Sequence, residues 1–361
     1  MIREGATHTI ITNYFREGDG MLQFVPARAI FEQNALQYSL GQKIYDQITA
    51  MGVPISFAAS HNRITGIPGQ TPQQAYREAK RTLVVGVRKS TNFAACKPSA
   101  HYQLPLNTSC PGMCEYCYLS TTLGKKPYLR VYVNIDEILL KAEHYMAERS
   151  PETTMFEGAA TSDPIPTEYL TGLLKSTIEF FGKQELGRFR FVTKFTDVDS
   201  LLQIEHHGHT RFRFSLNADS VIKNFEHQTP GLLERVNAAA KVAAAGYPLG
   251  FIIAPIFHFT DWQDEYHKLF SQLEKQLPAQ AQQDIRFELI THRFTTRAKN
   301  NILNIFPETL LPMEESSRKF KFGQFGYGKY IYEKDMMNEM KSFMQETISR
   351  YFPRSGIDYF V

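Results

Sequence analysis

The sequence lacks the features of several protein classes. It has no apolar run long enough to cross a bilayer, and its first twenty residues hold neither an apolar signal core nor a small-residue cleavage site. The formal net charge is only +3, from 40 Lys and Arg against 37 Asp and Glu. Such a balance does not indicate a nucleic-acid partner by itself, so any DNA-binding face must come from local clustering. These absences predict a cytoplasmic protein that makes no membrane contact.

Cysteine is also scarce, with four in 361 residues, yet three of them lie within one stretch of eight: Cys110, Cys114 and Cys117. A chain of this length buries its own core, and without a secretory signal a disulfide framework is not expected. Thiolates crowded on one loop instead indicate a metal centre. The C-x3-C-x2-C spacing suits a 4Fe–4S cluster with three ligated irons and one iron open to a small molecule.

A zinc knuckle is the alternative metal site. Its fourth ligand would be Cys96 or a histidine such as His101. Structural zinc sites usually take two separated pairs of ligands, however, and the sequence offers no second pair.

From about residue 90 the chain alternates strand-like and helical patterns. The predicted strands are HYQLPLNTS, TTMFEGAA, RFRFVTKF, TRFRFSLNA, GFIIAPIFHF and DIRFELITHRF. The predicted helices are 136–149 (with Asn134 and Glu137 as a capping box), 170–181, 197–206, 230–246 and 261–276. Six such repeats predict an α/β fold, namely an open, partial (β/α)6 TIM-like barrel, with a doubly wound sheet as the alternative. In either architecture the chemistry lies beyond the C-terminal ends of the strands.

The predicted division of the chain places this barrel at 96–300. Residues 1–20 are expected to be a peripheral tail or leader, and 21–95 a small N-terminal α/β extension. Residues 301–361 are predicted to form a C-terminal β-hairpin plus a helix, facing DNA. The methionines of that last helix are expected to pack in the core.

Polar residues follow most of the predicted strands. They are Ser162, Asp163, Lys194, Ser215, Asn217 and His258. Any one of them is also explained as a cap on the next helix. Their convergence on one rim favours a ligand that carries a carboxylate and hydroxyl groups.

Several runs resemble a known family. The cysteine spacing, with Tyr116 before the third cysteine, is similar to the signature of the radical S-adenosylmethionine superfamily. The runs at 117–139, 156–163, 191–195, 214–221 and 322–332 narrow the resemblance to the spore photoproduct lyase family.

The resemblance implies a DNA repair lyase with a 4Fe–4S cluster and S-adenosylmethionine as cofactors. In that family a 5′-deoxyadenosyl radical splits the thymine dimer of ultraviolet-damaged spore DNA back to two thymines. It also implies that the rim residues hold S-adenosylmethionine, that the partners are damaged double-stranded DNA and an external one-electron reductant, and that a monomer works in the spore core. The rivals are a radical enzyme with another substrate and a non-catalytic, zinc-dependent nucleic-acid-binding protein.

One position departs from the family. The run FEGAATSD has Ala160 where the family has the cysteine that returns a hydrogen atom to the thymine radical. We interpret the chain as an engineered variant that traps substrate or as a homologue with another donor; the first is favoured because the other motif residues are present. Tyr116 and Tyr118 are expected to relay hydrogen or to pack beside the cluster, and Cys96 is expected to be an inert thiol.

A basic and aromatic stretch near the C-terminus predicts the DNA contact. The predicted DNA-binding residues in this stretch are Arg318, Lys319, Lys321, Tyr327, Lys329 and Tyr330. Lys125 and Lys126, which follow the cysteine loop, are expected to add phosphate contacts. Basic and aromatic side chains on one hairpin suit phosphate contact and insertion beside a displaced base pair. A hairpin that merely covers the barrel mouth is the alternative.

Overall fold

The computed structural model describes residues 15–18, 21–90, 92–322 and 328–361. Within these ranges the strands are β1 (Phe15–Gly18), β2 (Met21–Phe24), β3 (Arg28–Glu32), β4 (Ile55–Ala58), β5 (Thr82–Gly86), β6 (Ala95–Cys96), β7 (Ala100–Gln103), β8 (Asn107–Thr108), β9 (Met113–Cys114), β10 (Leu129–Tyr132), β11 (Thr154–Glu157), β12 (Gly187–Thr193), β13 (Thr210–Leu216), β14 (Glu226–His227), β15 (Leu249–Ile256), β16 (Arg286–Thr291), β17 (Lys319–Phe322), β18 (Gly328–Ile331) and β19 (Gly356–Phe360).

The helices of the same ranges are α1 (Ser39–Ala50), α2 (Pro72–Lys80), α3 (Leu119–Thr122), α4 (Ile135–Arg149), α5 (Ile165–Thr171), α6 (Leu173–Gly182), α7 (Asp219–Phe225), α8 (Leu232–Ala244), α9 (Trp262–Gln276), α10 (Thr296–Ile305) and α11 (Lys334–Tyr351). None of them is both long enough and apolar enough to span a membrane.

The main sheet confirms the predicted partial barrel. Its strand order is β19-β16-β15-β13-β12-β11-β7-β6, and every pair from β7 to β19 is parallel. The six predicted strands therefore follow one another around the sheet in chain order. A doubly wound sheet would reverse direction at a switch point, and this sheet does not. Strand β19, which the sequence patterns did not predict, extends the barrel by a seventh parallel strand.

The barrel strands are buried on both faces, and successive side chains point alternately to the helices and to the concave side. Phenylalanines at every second position, such as Phe189 and Phe287, point to the helices, where they contact Phe181 of α6 and Phe270 of α9. The intervening residues line the concave face, and they include charged side chains. Arg213, for example, is 2% exposed. This period of two sets the register of the whole barrel.

A second, five-stranded sheet has the order β4-β3-β5-β10-β8. Its strands β3, β4 and β5, together with helices α1 and α2, form the α/β structure expected within residues 21–95. Because β8 and β10 belong to it, the sheet takes strands from both sides of the predicted boundary at residue 95. The domain limits therefore stay a prediction.

Three local predictions were wrong. The helix predicted at 197–206 is only a 3-10 turn at Asp199–Leu201. The helix predicted at 170–181 breaks at Gly172, whose φ of 66° ends α5 before α6 begins. Asn134 does not form a capping box; it accepts from Arg88 N at 2.8 Å and donates to Arg88 O at 3.0 Å. Its side chain therefore ties α4 to the chain that leaves β5.

Candidate active site

The cysteine loop joins β8 to β10 and lies past the C-terminal end of β7. Cys114 is buried, while Cys110 and Cys117 are half-buried. Within the loop, Met113 and Cys114 form β9, which pairs antiparallel with Glu226 and His227 of β14. Ser109 forms a parallel bridge to Ser162, so the start of the loop is fixed to the exit of β11. The predicted meeting of the cysteines with the strand ends is therefore what the fold produces.

A buried lysine donates a hydrogen bond to the backbone of the cysteine loop. Lys80, at the end of α2, is 1% exposed and donates to the Cys110 carbonyl at 2.9 Å. Its ammonium group also lies over the Tyr76 ring, 5.3 Å from the centroid. Burial alone would lower the pKa of Lys80, but Tyr76 and the three cysteines raise it above its ordinary value. No carboxylate pairs with Lys80 in the described part of the chain, so its positive charge faces the cysteines.

These residues fit an iron–sulfur cluster. In the described residues no three His, Cys, Asp or Glu side chains are already gathered around one point that would hold a single metal ion. A 4Fe–4S cluster does not require this, because each cysteine binds a different iron. A buried cation beside three thiolates, and a Gly112 amide directed at the Cys110 thiol, match the negative charge of such a group. Replacing Gly112 would place a Cβ 3.0 Å from Thr229, so the loop has little space at that point.

His101, the alternative zinc ligand, is engaged elsewhere. Its Nδ1 atom accepts the Met155 amide at 2.9 Å, and its Nε2 atom lies 3.3 Å from the guanidinium of Arg149. Both ring nitrogens therefore have partners on β11 and α4.

A buried network connects the cysteine loop to the barrel. Glu226 pairs with Arg235 at 2.7 Å and with Lys194 at 2.9 Å, and it accepts the Tyr116 hydroxyl. Lys194 also donates to Ser215 at 3.1 Å. Burial would raise the pKa of Glu226, but Arg235 and Lys194 outweigh that effect and hold it at about 2. The carboxylate is therefore ionised, and it fixes both Tyr116 and Lys194 at the rim.

Asp163 and Ser162 connect strand ends. Asp163 accepts from Thr193 Oγ1 at 3.0 Å and from the Lys194 amide at 2.9 Å, so it joins the exits of β11 and β12. Burial raises the pKa of Asp163 to about 6. Ser162 Oγ lies 3.5 Å from the Gly158 carbonyl. Asp163 also accepts the Ile165 amide at the start of α5 at 3.3 Å, as the capping alternative expected, whereas the bond of Ser162 runs back to Gly158. A role of either side chain in cofactor binding stays a prediction.

Asn217 and His258 occupy different surroundings. Asn217 is fully buried, donates to Pro255 O at 2.7 Å and accepts from Tyr266 at 2.9 Å. Its amide is thus bonded within the protein. His258 is half-buried after β15, with its ring 5.7 Å from that of Trp262, and its side chain is available at the rim.

Ala160 follows β11 and is half-buried. Tyr118 is 58% exposed, yet its hydroxyl points inward and donates to the Ala160 carbonyl. The predicted hydrogen-donor position and the predicted relay tyrosine are therefore in direct contact. A cavity of about 60 Å³ borders Ala160 on the side of Asn107 and Thr161.

The predicted hairpin is confirmed as β17 paired antiparallel with β18. Lys319 and Lys321 are exposed, and Tyr330 stacks on Phe294, 5.3 Å away, so the hairpin rests on the end of β16. Arg318 differs from the prediction. It is 8% exposed, donates to the carbonyl oxygens of His292 and Pro312, and lies 3.7 Å above the Tyr332 ring. Its guanidinium group is therefore bonded within the protein and does not face solvent. Tyr327 lies outside the described residues.

Lys329 has two basic neighbours. Burial lowers the pKa of Lys329, and so do Arg293 and Lys321 beside it. Across the described ranges none of these three side chains pairs with a carboxylate. The second predicted basic pair divides: Lys125 is exposed, whereas Lys126 donates to Ile67 O at 2.8 Å.

Sequence reasoning missed four charged residues of this region. They are Lys80, Glu226, Arg235 and Arg293. Arg293 is the second-last residue of the predicted strand DIRFELITHRF, at its rim end, so the strand-end rule already contained the signal. The other three are recognised only through partners far away in the chain.

Comparison with known proteins agrees with this geometry. The family model for spore photoproduct lyase matches residues 24–361. The spore photoproduct lyase of Bacillus subtilis is 50% identical over 337 residues, 93% of this chain and 98% of that protein. That of Clostridium acetobutylicum is 49% identical over 334 residues, 92% of this chain and 98% of that protein.

Solved structures agree as well. A mutant spore photoproduct lyase with bound AdoMet and dinucleoside spore photoproduct superposes with a TM-score of 0.92 at 49% identity, covering 94% of this chain and 99% of that one. A spore photoproduct lyase complexed with dinucleoside spore photoproduct gives 0.91 at 48% identity, covering 93% and 99%. The match of the family model to residues 24–361 and the 49–50% identity over nearly the whole chain show that the chain belongs to the spore photoproduct lyase family.

Proposed function

We propose that this chain is a DNA repair lyase that splits the spore photoproduct thymine dimer into two thymines. One observation carries the proposal. The cysteine loop, Lys194 and Ala160 meet on one rim of the barrel, in a family whose solved members bind AdoMet and the dinucleoside photoproduct.

Cys110, Cys114 and Cys117 are proposed to hold a 4Fe–4S cluster. The positive charge of Lys80 would balance part of the negative charge of the three thiolates. When bound, the cluster and S-adenosylmethionine supply a one-electron cleavage that gives a 5′-deoxyadenosyl radical, which takes a hydrogen atom from the dimer. The electron comes from an external one-electron reductant. The protein's part is to orient the dimer and to keep water away from a reactive radical.

Lys194 is the proposed contact for the carboxylate of S-adenosylmethionine. Its side chain is 18% exposed and is already held at the rim by Glu226 and Ser215. A cation fixed in this way is preorganised for a carboxylate. Ser162, Asp163 and His258 are proposed to line the same cofactor, with Asn217 as a buried support for the strand ends.

The DNA is proposed to lie along the hairpin. Lys321, Lys329 and Arg293 gather positive charge that no described carboxylate neutralises, and phosphates supply the missing negative charge. Phe322, 77% exposed beside them, is the aromatic side chain available for insertion next to a displaced base pair. The dimer must leave the duplex to reach the cluster, and a lesion that already weakens stacking lowers that cost.

Lys319, Tyr330 and Lys125 are proposed as further DNA contacts. Lys125 opens onto a groove of about 510 Å³ that also contains Arg297 and three asparagines of α10. The groove continues the positive rim away from the hairpin. The chain is proposed to act as a monomer in the spore core.

An anaerobic assay tests the proposal. The reconstituted, reduced protein would be incubated with S-adenosylmethionine and an oligonucleotide that carries the dimer, and thymine release would be measured by mass spectrometry. The Ala160→Cys variant is run beside it, since the cavity next to Ala160 has room for a sulfur atom. Release of thymine by either protein, dependent on S-adenosylmethionine, supports the function. An untouched dimer with both proteins overturns it.

The hairpin has its own test. Lys321→Ala combined with Lys329→Ala should weaken binding to the damaged duplex and reduce its dependence on salt, because two phosphate contacts are lost. Lys175→Ala, an exposed change on α6, is the matched control. Equal affinities and equal salt slopes for the two variants would remove the hairpin from the DNA interface.

A further inference from the structure

Cys96 is the one cysteine outside the loop, and it pairs with β7, the strand next to β11, which leads to Ala160. It is half-buried on β6, the strand at the edge of the main sheet beside β7. One of the charged groups that act on its thiol is Glu157, which ends β11 and accepts both the Ala159 amide and the Ser99 hydroxyl, in the turn after β6, at 3.1 Å. Glu157 therefore contacts the turn that carries Ala160 and also faces the Cys96 thiol.

Tyr118 connects the same two positions from the side of the cysteine loop. Its hydroxyl donates to the Ala160 carbonyl. The enclosure of that hydroxyl raises the pKa of Tyr118, and so do the neighbouring thiols of Cys117 and Cys96. Cys96, on β6, and Ala160, in the turn after β11, thus both lie near one phenol.

A solved relative contains the same pair of residues. The mutant of 49% identity that holds AdoMet and dinucleoside spore photoproduct has alanine in place of a cysteine and cysteine in place of a serine. Its two substituted positions are separated by the same number of residues as Cys96 and Ala160 are here. The present sequence has this alanine and this cysteine together, and the substrate is bound in a protein that has both.

We infer that Cys96 is the hydrogen-atom donor of this chain and replaces the thiol that the family carries at the position of Ala160. The inference rests on the proposed function, and it favours a homologue with another donor over the engineered, substrate-trapping variant. It also replaces the expectation that Cys96 is inert.

The step is balanced in atoms and electrons. After the dimer fragments, one thymine carries an unpaired electron on its methylene carbon. The Cys96 S–H bond breaks homolytically, a C–H bond forms on that carbon, and a thiyl radical remains on Cys96. The Tyr118 hydroxyl returns a hydrogen atom to the sulfur and becomes a phenoxyl radical. That radical takes a hydrogen atom from the 5′-methyl group of 5′-deoxyadenosine, which carries the hydrogen removed from the substrate, and the 5′-deoxyadenosyl radical is formed again. No further oxidant or reductant is consumed.

The surroundings of Cys96 keep its hydrogen in place. Burial and Glu157 raise the pKa of Cys96 to about 11, against the opposing effect of Arg213 and Arg190. The group is therefore a neutral thiol near pH 7. A thiolate has no hydrogen atom to give, so a protonated sulfur is the form that this role requires.

The experiment compares four proteins in the anaerobic assay, in H₂O and in D₂O. They are the parent chain, Cys96→Ser, Ala160→Cys, and the double variant Ala160→Cys with Cys96→Ser. A thiol hydrogen exchanges with solvent, so a thiol donor places one deuterium on the thymine methyl group in D₂O. Affinity for the dinucleoside photoproduct and the thermal unfolding midpoint are measured on each protein to separate catalysis from binding and folding.

The parent chain should give singly deuterated thymine. Cys96→Ser should lose that label and most of the thymine, with substrate affinity and unfolding midpoint unchanged, and the double variant should recover both thymine and label. If Cys96→Ser yields as much labelled thymine as the parent, Cys96 is not the donor. If Ala160→Cys repairs the dimer while the parent gives none, the inference fails and the proposed function stands. If no protein acts, both fail.

Discussion

A buried histidine makes the hairpin sensitive to acid. His292 follows β16, is 2% exposed, and accepts from the Arg318 guanidinium at its Nδ1 atom, 3.2 Å away. Arg318 also donates to the His292 carbonyl at 2.9 Å. Burial lowers the pKa of His292 to about 3, and the nearby Arg318 charge acts in the same direction. Arg318, the residue before β17, thus donates a hydrogen bond to a neutral imidazole.

The sign and size of the pH effect follow from this value. An unfolded histidine takes up a proton near pH 6.5, whereas the folded chain takes it up only near pH 3. Between these values the unfolded state binds one proton more, so stability falls as the pH falls. At pH 5 the expected loss is about 2 kcal/mol of unfolding free energy, from about 1.5 pKa units at about 1.4 kcal/mol each.

His292→Asn isolates this contribution, because asparagine offers an acceptor oxygen to Arg318 and does not titrate. Urea unfolding would be followed at pH 7 and pH 5 by the fluorescence of Trp262, the single tryptophan, which is 4% exposed. The parent should lose about 2 kcal/mol more than His292→Asn between the two pH values. His144→Asn, on the exposed side of α4, is the control and should behave as the parent does.

Equal pH dependence in the parent and His292→Asn would refute the reasoning. It would mean that the folded imidazole takes up its proton as readily as the unfolded one.

Three further changes test the site. Glu226→Gln leaves Arg235 buried without its counter-charge and should cost about 3–5 kcal/mol in urea unfolding. Lys80→Met removes the donor to Cys110 and a positive charge beside the thiolates, so the reconstituted protein should retain less iron per chain by chemical analysis. Gly158→Ala would place a Cβ 2.6 Å from the Phe189 ring and should lower the thermal unfolding midpoint, at a cost of about 1–3 kcal/mol.

Each of these outcomes has a clear opposite. An unchanged urea midpoint for Glu226→Gln would show that the buried charges are neutralised in another way. Full iron content in Lys80→Met would show that the lysine serves α2 rather than the cluster. A Gly158→Ala protein as stable as the parent would show that Phe189 moves aside without loss of packing.

The fold was predicted well where the pattern is local. Alternation such as Phe189, Arg190, Phe191 identifies a strand with two different faces, and glycines and prolines mark the ends. The failures have physical causes. Strand β19 is five residues long and exists because β16 offers it an edge. Where a helix was predicted after β12, the chain forms a 3-10 turn instead, and this turn buries Leu201.

The site was predicted through motifs, and its charged support was not. Lys80 reads as an ordinary basic residue at a helix end, and only its bond to Cys110, thirty positions later, shows that it is buried. Glu226 and Arg235 read as solvated charges for the same reason. Arg318 was predicted to face DNA because its neighbours in the sequence are basic and aromatic, but its side chain stacks on Tyr332 and is buried.

The barrel is not closed, and this shapes how a polymer enters. Its two edges are the short strand β6 and the C-terminal strand β19, and the parallel strands between them do not complete a ring. A nucleotide within a DNA strand is tethered on both sides, so it has no free end to thread into a closed tube. An incomplete wall admits a bent strand from the side, with both phosphodiester tethers still attached. We therefore expect the open side of the barrel to act as a slot, through which a DNA strand enters and leaves sideways.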